Sequence, residues 1–164
     1  MFPALPDHFS LSATKATYLL RDALAPYFKS LLIRDVGDGF YSIGFNETTN
    51  ETGLKELQLG IRFWSNSLQR VTTQHLHTFF IGHARANDIV CKLNEALNNA
   101  NLTIRKLIML ARDGPKINKA VQKKMNEQVK AERGTPLLDL GSCNIHTAYN
   151  AFSAGLSDFG LRCF

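Results

Sequence analysis

The sequence has few cysteines and no long hydrophobic run. Its three cysteines are an odd number within 164 residues. The N-terminus shows no basic leader followed by an apolar stretch, so we expect a reducing compartment rather than a disulfide framework. No segment approaches the ~20 consecutive apolar residues that cross a bilayer. A composition that is 45% hydrophobic and 20% charged excludes disordered, collagen-like and coiled-coil chains and suits one domain with a single core.

Positive charge is in excess, and it is unevenly placed. The chain carries 19 Lys and Arg against 14 Asp and Glu, a formal charge of +5. Residues 1–100 contain nine charges of each sign, whereas residues 101–164 contain ten basic and five acidic side chains. This asymmetry predicts a local surface that faces a polyanion, not a generally basic protein.

The first half of the sequence predicts a helix followed by three antiparallel strands. Apolar residues recur at helical spacing over residues 12–33, with Ser12 as the N-cap, and Pro26 predicts a kink or a division into two short helices. Alternating residues then predict strands whose short connections favour an antiparallel meander. These strands are predicted at residues 40–45, 57–64 and 71–80. Their large aromatic residues are expected in the core; these are Phe40, Phe45, Phe63, Trp64, Phe79 and Phe80.

The second half predicts helices that alternate with strands. A 3.6-residue apolar period indicates a helix over residues 84–98, and the short apolar run at residues 106–111 is typical of a buried parallel strand. Helices over residues 115–132 and 143–159 flank a last short strand at residues 137–140. This order predicts an α/β domain with a mixed five-stranded sheet, helices on its faces and a helix before it.

Three segments of the sequence resemble a known family. They are FYSIGFNETTN at residues 40–50, LIMLARDGPKINK at residues 107–119 and LLDLGSCNIHTAYNAF at residues 137–152. In this order they resemble the catalytic core of hAT-superfamily transposases and of the domesticated genes derived from them. The resemblance implies a helical segment at residues 1–36 and a truncated ribonuclease H-like domain at residues 37–164. The family's zinc finger, insertion domain and late catalytic glutamate are expected to be missing.

The resemblance also implies a DNA-cutting site in which three carboxylates hold two divalent metal ions. This chain has Asn46 where the first acid belongs, at the end of the first strand, and Asp113 where the second belongs, after the fourth strand. Asn46 is either a degraded ligand or a polar strand-end residue, and Asp113 is either a retained acid or an ordinary Asp-Gly-Pro turn residue. Asp158 is a conceivable substitute for the third acid. We therefore expect a pseudoenzyme without a cofactor, with Mg²⁺ or Mn²⁺ at Asp113 only if the vestigial site still functions.

A Cys-x-x-His motif, Cys143 and His146, lies in the third segment. It provides at most half of a four-ligand zinc site, and Cys163, His75 or His77 would have to complete that site. The alternative is a strand-to-helix junction in which Cys143 packs and His146 bonds a neighbour. His75 and His77 are two residues apart on one predicted strand, so they are expected to share a face.

Basic residues are concentrated on the helix predicted after Pro115. At ~100° per residue, four of its lysines fall on one face and an apolar stripe falls opposite. The lysines are Lys116, Lys119, Lys123 and Lys130, with Lys124 beside them, and the stripe is Ile117, Val121, Met125 and Val129. With their basic neighbours, nine basic residues lie between positions 105 and 133. The five lysines are candidate nucleic-acid contacts, because lysine binds phosphate without reading sequence; the alternative is a solvated helix face.

The sequence is compatible with three functions. The first is a transposase-derived, catalytically inactive domain that binds DNA weakly and without sequence preference. The second is a protein-interaction module that pairs with itself or with related transposase-like chains, through an apolar face near residues 152–164. A surviving metal-dependent nuclease would require Asp113. We expect an intracellular protein, nuclear rather than cytoplasmic, without a membrane partner.

Overall fold

A helical segment and a three-stranded meander are followed, over residues 86–133, by helices that alternate with a strand. The computed structural model describes residues 11–82, 85–113 and 116–141, together with Ala148 and Ala151. Its helices are α1 (Ala13–Tyr18), α2 (Ala25–Val36), α3 (Ala86–Asn99) and α4 (Lys116–Arg133), with a π-helical turn at Leu19–Leu24 and a 3₁₀ turn at Ile104–Lys106. Its strands are β1 (Tyr41–Thr49), β2 (Lys55–Ser65), β3 (Arg70–Ile81) and β4 (Leu107–Ala111).

The N-terminal helical segment begins at the predicted cap. The hydroxyl of Ser12 accepts a hydrogen bond from the amide of Lys15 at 3.3 Å. The predicted interruption takes the form of the π-helical turn, which directly precedes Pro26 in the first turn of α2. Proline has no N–H to donate to the preceding turn, which favours such a local widening. Gly37 then ends α2 in the left-handed region, with φ at +50°.

The four strands form one mixed sheet in the order β3-β2-β1-β4. β1 pairs antiparallel with β2, and β2 pairs antiparallel with β3, as the short connections predicted. β4 lies parallel to β1, with Ile43 opposite Leu110 and Gly44 opposite Ala111. The predicted meander and the predicted parallel strand are therefore confirmed. β4 ends opposite Gly44, whereas β1 continues to Thr49 with β2 as its partner.

The predicted fifth strand is reduced to one contact in the described residues. Leu138 forms an isolated parallel bridge with Met109 of β4, and its amide donates to the carbonyl of Ile108 at 2.8 Å. The preceding amide, that of Leu137, donates instead to the side-chain oxygen of Asn126 at 2.7 Å. Leu138 is therefore the one described residue of this segment that pairs with β4. The predicted helix at residues 143–159 lies outside the described residues, apart from Ala148 and Ala151.

The hydrophobic core lies between one face of the sheet and the helices packed on it. β1 contributes Tyr41, Ile43 and Phe45, and every second residue of β2 from Leu57 to Phe63 is also buried. The helices contribute to the same core; their buried apolar residues are Leu32 and Val36 of α2, Ile89, Val90, Leu93, Ala96 and Leu97 of α3, and Val121, Met125 and Val129 of α4. The second half of the N-terminal helical segment is thus packed on the domain, whereas α1 and the π-helical turn bury no residue.

The aromatic side chains of the strands divide between the core and the surface. Phe45, Phe63 and Phe79 are buried as predicted. Trp64 is 52% exposed and Phe80 is 65% exposed, because each follows a core-facing residue of its strand and therefore points to the opposite face. Phe40 precedes β1 and is also exposed. The prediction that all six aromatics are in the core is wrong for these three.

None of the helices within the described ranges combines the length and the apolar content needed to cross a bilayer.

Candidate nucleic-acid interface

Helix α4 is held on the domain by an apolar stripe at helical spacing. Val121, Met125 and Val129 are fully buried, as the sequence predicted from their spacing of four residues. Ile117, the first member of the predicted stripe, is 40% exposed because it lies in the first turn of the helix. Gln122 is buried beside the stripe, although it is polar.

The five predicted lysines all lie on the exposed side of α4 and are named here the lysine face. They are Lys116, Lys119, Lys123, Lys124 and Lys130. Lys124 stands at one flank of this face, where it lines a shallow depression with Val90 and Cys91 of α3. A lysine at an exposed helical position keeps its ammonium group in water, where an anionic partner can reach it. The structure thus brings these five predicted site residues together on one helix.

Three other basic residues counted in this region are engaged elsewhere. The guanidinium of Arg133 donates to the carbonyl oxygens of Leu107 and Pro136, both at 2.8 Å. The side chain of Arg112 is 7% exposed, and the ammonium of Lys106 lies 4.7 Å from the centre of the exposed Phe40 ring. The surface cation density is therefore lower than the count of nine suggested, and the lysine face holds most of it.

One acidic residue interrupts the lysine face. At ~100° per residue, Glu127 falls between Lys116 and Lys124 on the helical wheel, and its side chain is exposed. A carboxylate three or four residues from lysines lowers the local positive potential by direct Coulomb attraction. Glu127 therefore weakens any attraction of this face for a polyanion, and its removal has the opposite sign from the removal of a lysine.

The two predicted catalytic positions lie near the carboxyl end of β4, although Asn46 is inside β1 and not at its end, since β1 continues beyond it. Asn46 is an exposed residue of β1, opposite Gln58 of β2. The last pair of the parallel ladder between β1 and β4 is Gly44 with Ala111. Asn46 and Asp113 each lie two residues after this pair, one in β1 and the other just after β4. Asp113 is partly exposed. The structure therefore places these two predicted residues in one region, where open α/β sheets commonly carry sites.

Their chemistry does not fit the two-metal site that the family resemblance implies. Such a site needs three carboxylates, whereas the described residues in this region offer the amide of Asn46 and the carboxylates of Asp113 and Asp139, and Asp139 lies 4.0 Å from the guanidinium of Arg112. In the part of the chain that the structure describes, no three His, Cys, Asp or Glu side chains are grouped to hold a metal ion. Asp158, the conceivable third acid, lies outside the described residues.

The Cys-x-x-His motif, Cys143 and His146, lies outside the residues that the structure describes. Cys163, one of the residues that could have completed a zinc site, also lies outside them. The two histidines of β3 are described. A bulge at Leu76 interrupts the alternation, so that His77 pairs with core-facing Leu59 and His75 pairs with the next residue of β2. The spacing rule that predicted a shared face therefore does not apply to this pair.

Each of these histidines has its own local partner. The Nε2 atom of His75 is 2.9 Å from the hydroxyl oxygen of Thr78. The ring of His77 packs on Phe79, with 4.2 Å between ring centres. Burial, followed by the positive charge of Lys29, lowers the pKa of His77 below its ordinary value, so its ring is neutral at pH 7.

The pair formed by Arg112 and Gln122 was not found by sequence reasoning. Nε of Arg112, at the end of β4, donates to the side-chain oxygen of Gln122 on α4. The available signal was the helical wheel, because Gln122 falls at the border of the apolar stripe and a buried amide requires a hydrogen-bonding partner. The identity of that partner depends on how α4 sits over β4, which the helical period does not specify.

A comparison with protein-family models finds no match to this chain, and a comparison with curated proteins finds none either.

Proposed function

We propose that this chain is a hAT-transposase-derived, ribonuclease H-like domain that lacks catalytic activity and binds nucleic acid weakly through the lysine face of α4. The observation that carries the binding proposal is the placement of five exposed lysines on one side of a helix whose other side is buried in the core. Lysine ammonium groups contact phosphates as point charges and leave the bases unread. The proposed binding is therefore independent of sequence and sensitive to salt.

The order of the strands supports the proposed descent. Three antiparallel strands followed by a parallel one, in the order β3-β2-β1-β4, are what the resemblance implies for the first four strands. The bridge between Met109 and Leu138 lies on the far side of β4 from β1, where a fifth strand of a ribonuclease H-like sheet would be. We include that fifth strand, at residues 137–140, in the proposal.

The absence of catalysis is proposed from the residues in the region at the carboxyl end of β4. Asn46 brings an oxygen but no negative charge to the position of the first acid. Two divalent ions close together require strong anionic ligands, since their mutual repulsion must be offset. Asp113 supplies one such ligand, and the nearby carboxylate of Asp139 faces Arg112 and accepts the amide of Gly141, so metal-assisted strand cutting is not expected from this region.

Fluorescence anisotropy with a labelled duplex DNA at low salt tests the binding proposal. The triple variant K116Q/K124Q/K130Q is expected to bind at least about tenfold more weakly than the wild type, because three phosphate contacts are lost. E127Q is expected to bind more tightly, since it removes the carboxylate within the lysine face. These opposite signs follow from the charges at this face, and the control below separates them from an effect of net charge alone.

A matched control removes the same charge from other elements. K15Q/K55Q/K92Q also deletes three lysines, of which Lys55 and Lys92 are paired with Glu47 and Glu95 at 2.7 Å. It is expected to retain most of the wild-type affinity. Equal losses in both triple variants would mean that only net charge attracts DNA, and this would overturn the proposed role of α4.

A second candidate function is self-association. The apolar face predicted near residues 152–164 lies outside the described residues, and within them this function is favoured by the exposed apolar side chains of the N-terminal helical segment. Six large hydrophobic residues there are between 37% and 61% exposed: Tyr18, Leu19, Leu20, Leu24, Tyr27 and Phe28. A continuous row of such residues commonly marks a protein interface. Sedimentation velocity of the wild type and of L20S would test this. A concentration-dependent dimer that L20S weakens supports the second candidate, and a monomer at all concentrations contradicts it.

A further inference from the structure

A notch of about 390 Å³ lies between α4 and the segment that follows it, at the carboxyl end of β4. Its polar lining consists of Arg112, Lys119, Gln122, Lys123, Asn126 and Asp139. The volume is at the small end of the range for sites that bind small molecules. Positive charge predominates in the lining, which contains three cationic side chains and one carboxylate. The cationic residues are Arg112, Lys119 and Lys123, and the carboxylate is that of Asp139.

The guanidinium of Arg112 is fixed in place within this notch. Its side chain is 7% exposed, its Nε donates to Gln122, and its Nη1 approaches the carbonyl oxygen of Asp113 at 3.4 Å. Gln122 is itself buried. Both partners are neutral oxygen acceptors, so they orient the guanidinium without neutralising its charge.

The nearby carboxylate compensates this charge only weakly. Nη2 of Arg112 and Oδ1 of Asp139 are 4.0 Å apart, and the side chain of Asp139 is 60% exposed. The same Oδ1 accepts the amide of Gly141 at 2.9 Å. That amide, followed by the side chain of Gln122, lowers the pKa of Asp139. A buried guanidinium is stable when an anion meets it at hydrogen-bonding distance, and the pair with Asp139 is too long to provide this.

Two lysines stand at the mouth of the notch, one helical turn apart. Lys119 and Lys123 are exposed and four residues apart on α4, so their side chains lie on the same side of the helix. Their ammonium groups are free to move toward an anion that enters the notch, whereas Arg112 is already oriented. A rigid guanidinium with flexible ammonium groups around it is an arrangement suited to a phosphate group.

We propose that this notch binds a phosphate group of a nucleotide chain, with Arg112 at its floor and Lys119 and Lys123 at its mouth. The inference rests on the proposed function, since it gives the lysine face a defined phosphate position. The phosphate is either an internal phosphodiester or a terminal phosphate, and both have the same chemistry at the guanidinium.

Isothermal titration with thymidine 5′-monophosphate, and with thymidine as the uncharged comparison, tests the notch without DNA. The wild type is expected to bind the monophosphate saturably and thymidine not at all. K119Q/K123Q is expected to weaken this binding at least about tenfold. The control K15Q/K55Q removes the same charge from exposed lysines of α1 and β2, outside the lysine face, and is expected to bind as the wild type does. Because all four positions are exposed, both variants are expected to fold.

Either of two results would overturn the notch: no saturable binding of the monophosphate, or equal weakening by the two double variants. R112K, which keeps the charge but loses the planar fork, is expected to weaken binding while Lys119 and Lys123 remain. Binding of DNA with no binding of the monophosphate would end the notch proposal and leave the proposed function standing. Binding of the monophosphate with no binding of DNA would end the proposed function and leave an anion site.

Two duplexes, with and without a 5′-phosphate, then identify the source of the phosphate. Tighter binding of the phosphorylated duplex by the wild type, lost in K119Q/K123Q, assigns the notch to a terminal phosphate. Equal binding of the two duplexes, reduced in K119Q/K123Q, assigns it to an internal phosphodiester. Equal binding that K119Q/K123Q leaves unchanged would contradict any contact between the notch and nucleic acid.

Discussion

The guanidinium of Arg133 joins the end of α4 to the start of β4 and to the segment beyond the helix. It donates to the carbonyl oxygens of Leu107 at 2.8 Å, Pro136 at 2.8 Å and Thr135 at 3.1 Å. Arg133→Ala is expected to lower the free energy of unfolding by about 2–3 kcal/mol, because charge-assisted bonds are lost and carbonyls are left unpaired. Urea denaturation measures this. Arg105→Ala, at an exposed arginine nearby, is expected to change stability by less than about 0.5 kcal/mol; equal effects would contradict the assigned role.

Asp35 connects the end of α2 to the turn between β2 and β3. Its carboxylate accepts the hydroxyl of buried Ser65 at 2.6 Å and the amide and hydroxyl of Ser67, both at 3.1 Å. The hydrogen bond from Ser65 is the main reason why the pKa of Asp35 lies below its ordinary value of 3.8.

A lowered pKa has a definite consequence for stability. The contribution of Asp35 is present above its unfolded pKa and is lost as the pH falls through the lower folded value. Asp35→Asn is therefore expected to be less stable than the wild type at pH 7, with a difference that shrinks as the pH falls from about 5 toward 2. Denaturation midpoints across this range measure it. A difference that is constant with pH would show that the charge of Asp35 makes no contribution.

Among single residues, the sequence predicted exposure better than partners. The spacing of the lysines placed all five on the exposed side of α4, because helical period alone determines which residues share a face. The arginines were not predicted in the same way. Arg112 donates to the side chain of Gln122, and Arg133 donates to the carbonyl oxygen of Leu107. Both hydrogen bonds form only when α4 is packed against β4, so the helical period does not predict them.

The helical run from α1 to α2 differs along its length in what it contributes to stability. Leu32 is 6% exposed and belongs to the core, whereas Leu20, in the π-helical turn, is 59% exposed. Leu32→Ala is expected to lower the free energy of unfolding by about 2–5 kcal/mol through the cavity it leaves. Leu20→Ala is expected to change it by less than about 0.5 kcal/mol. Chemical denaturation compares the two, and a large loss in Leu20→Ala would mean that this turn is packed on the domain.

The elements that the sequence predicted well are those with a strong local period. The three strands of the meander, α3, β4 and α4 all lie where alternation or the 3.6-residue period indicated. β1 nevertheless continues past the predicted end at residue 45 to Thr49, because its polar residues 46–49 pair with β2. The strand predicted at residues 137–140 is not confirmed, since among the described residues of this segment Leu138 alone bridges β4. A bulge such as the one at Leu76 is equally invisible to a rule that assumes strict alternation.

For the whole molecule, the order of elements was sufficient to predict a mixed sheet with helices packed on it. Antiparallel pairing follows from short connections, and the parallel placement of β4 follows from the helix that crosses between β3 and β4. The proposed ancestry and the nucleic-acid contact go further than this geometry. The proposed contact depends on the electrostatic potential around α4. That potential is the sum over all charges of this surface, including the negative charge of Glu127, so no single residue determines it.

The salt dependence of binding to duplex DNA tests the central claim most directly. If the lysine face contacts phosphates, the logarithm of the association constant falls linearly with the logarithm of salt concentration. With three to five lysines engaged, the slope is expected to be about −3 to −4.5. Two duplexes of unrelated sequence are expected to give the same slope and affinities within about twofold. A slope near zero, or no binding at the lowest salt concentration, would contradict the account.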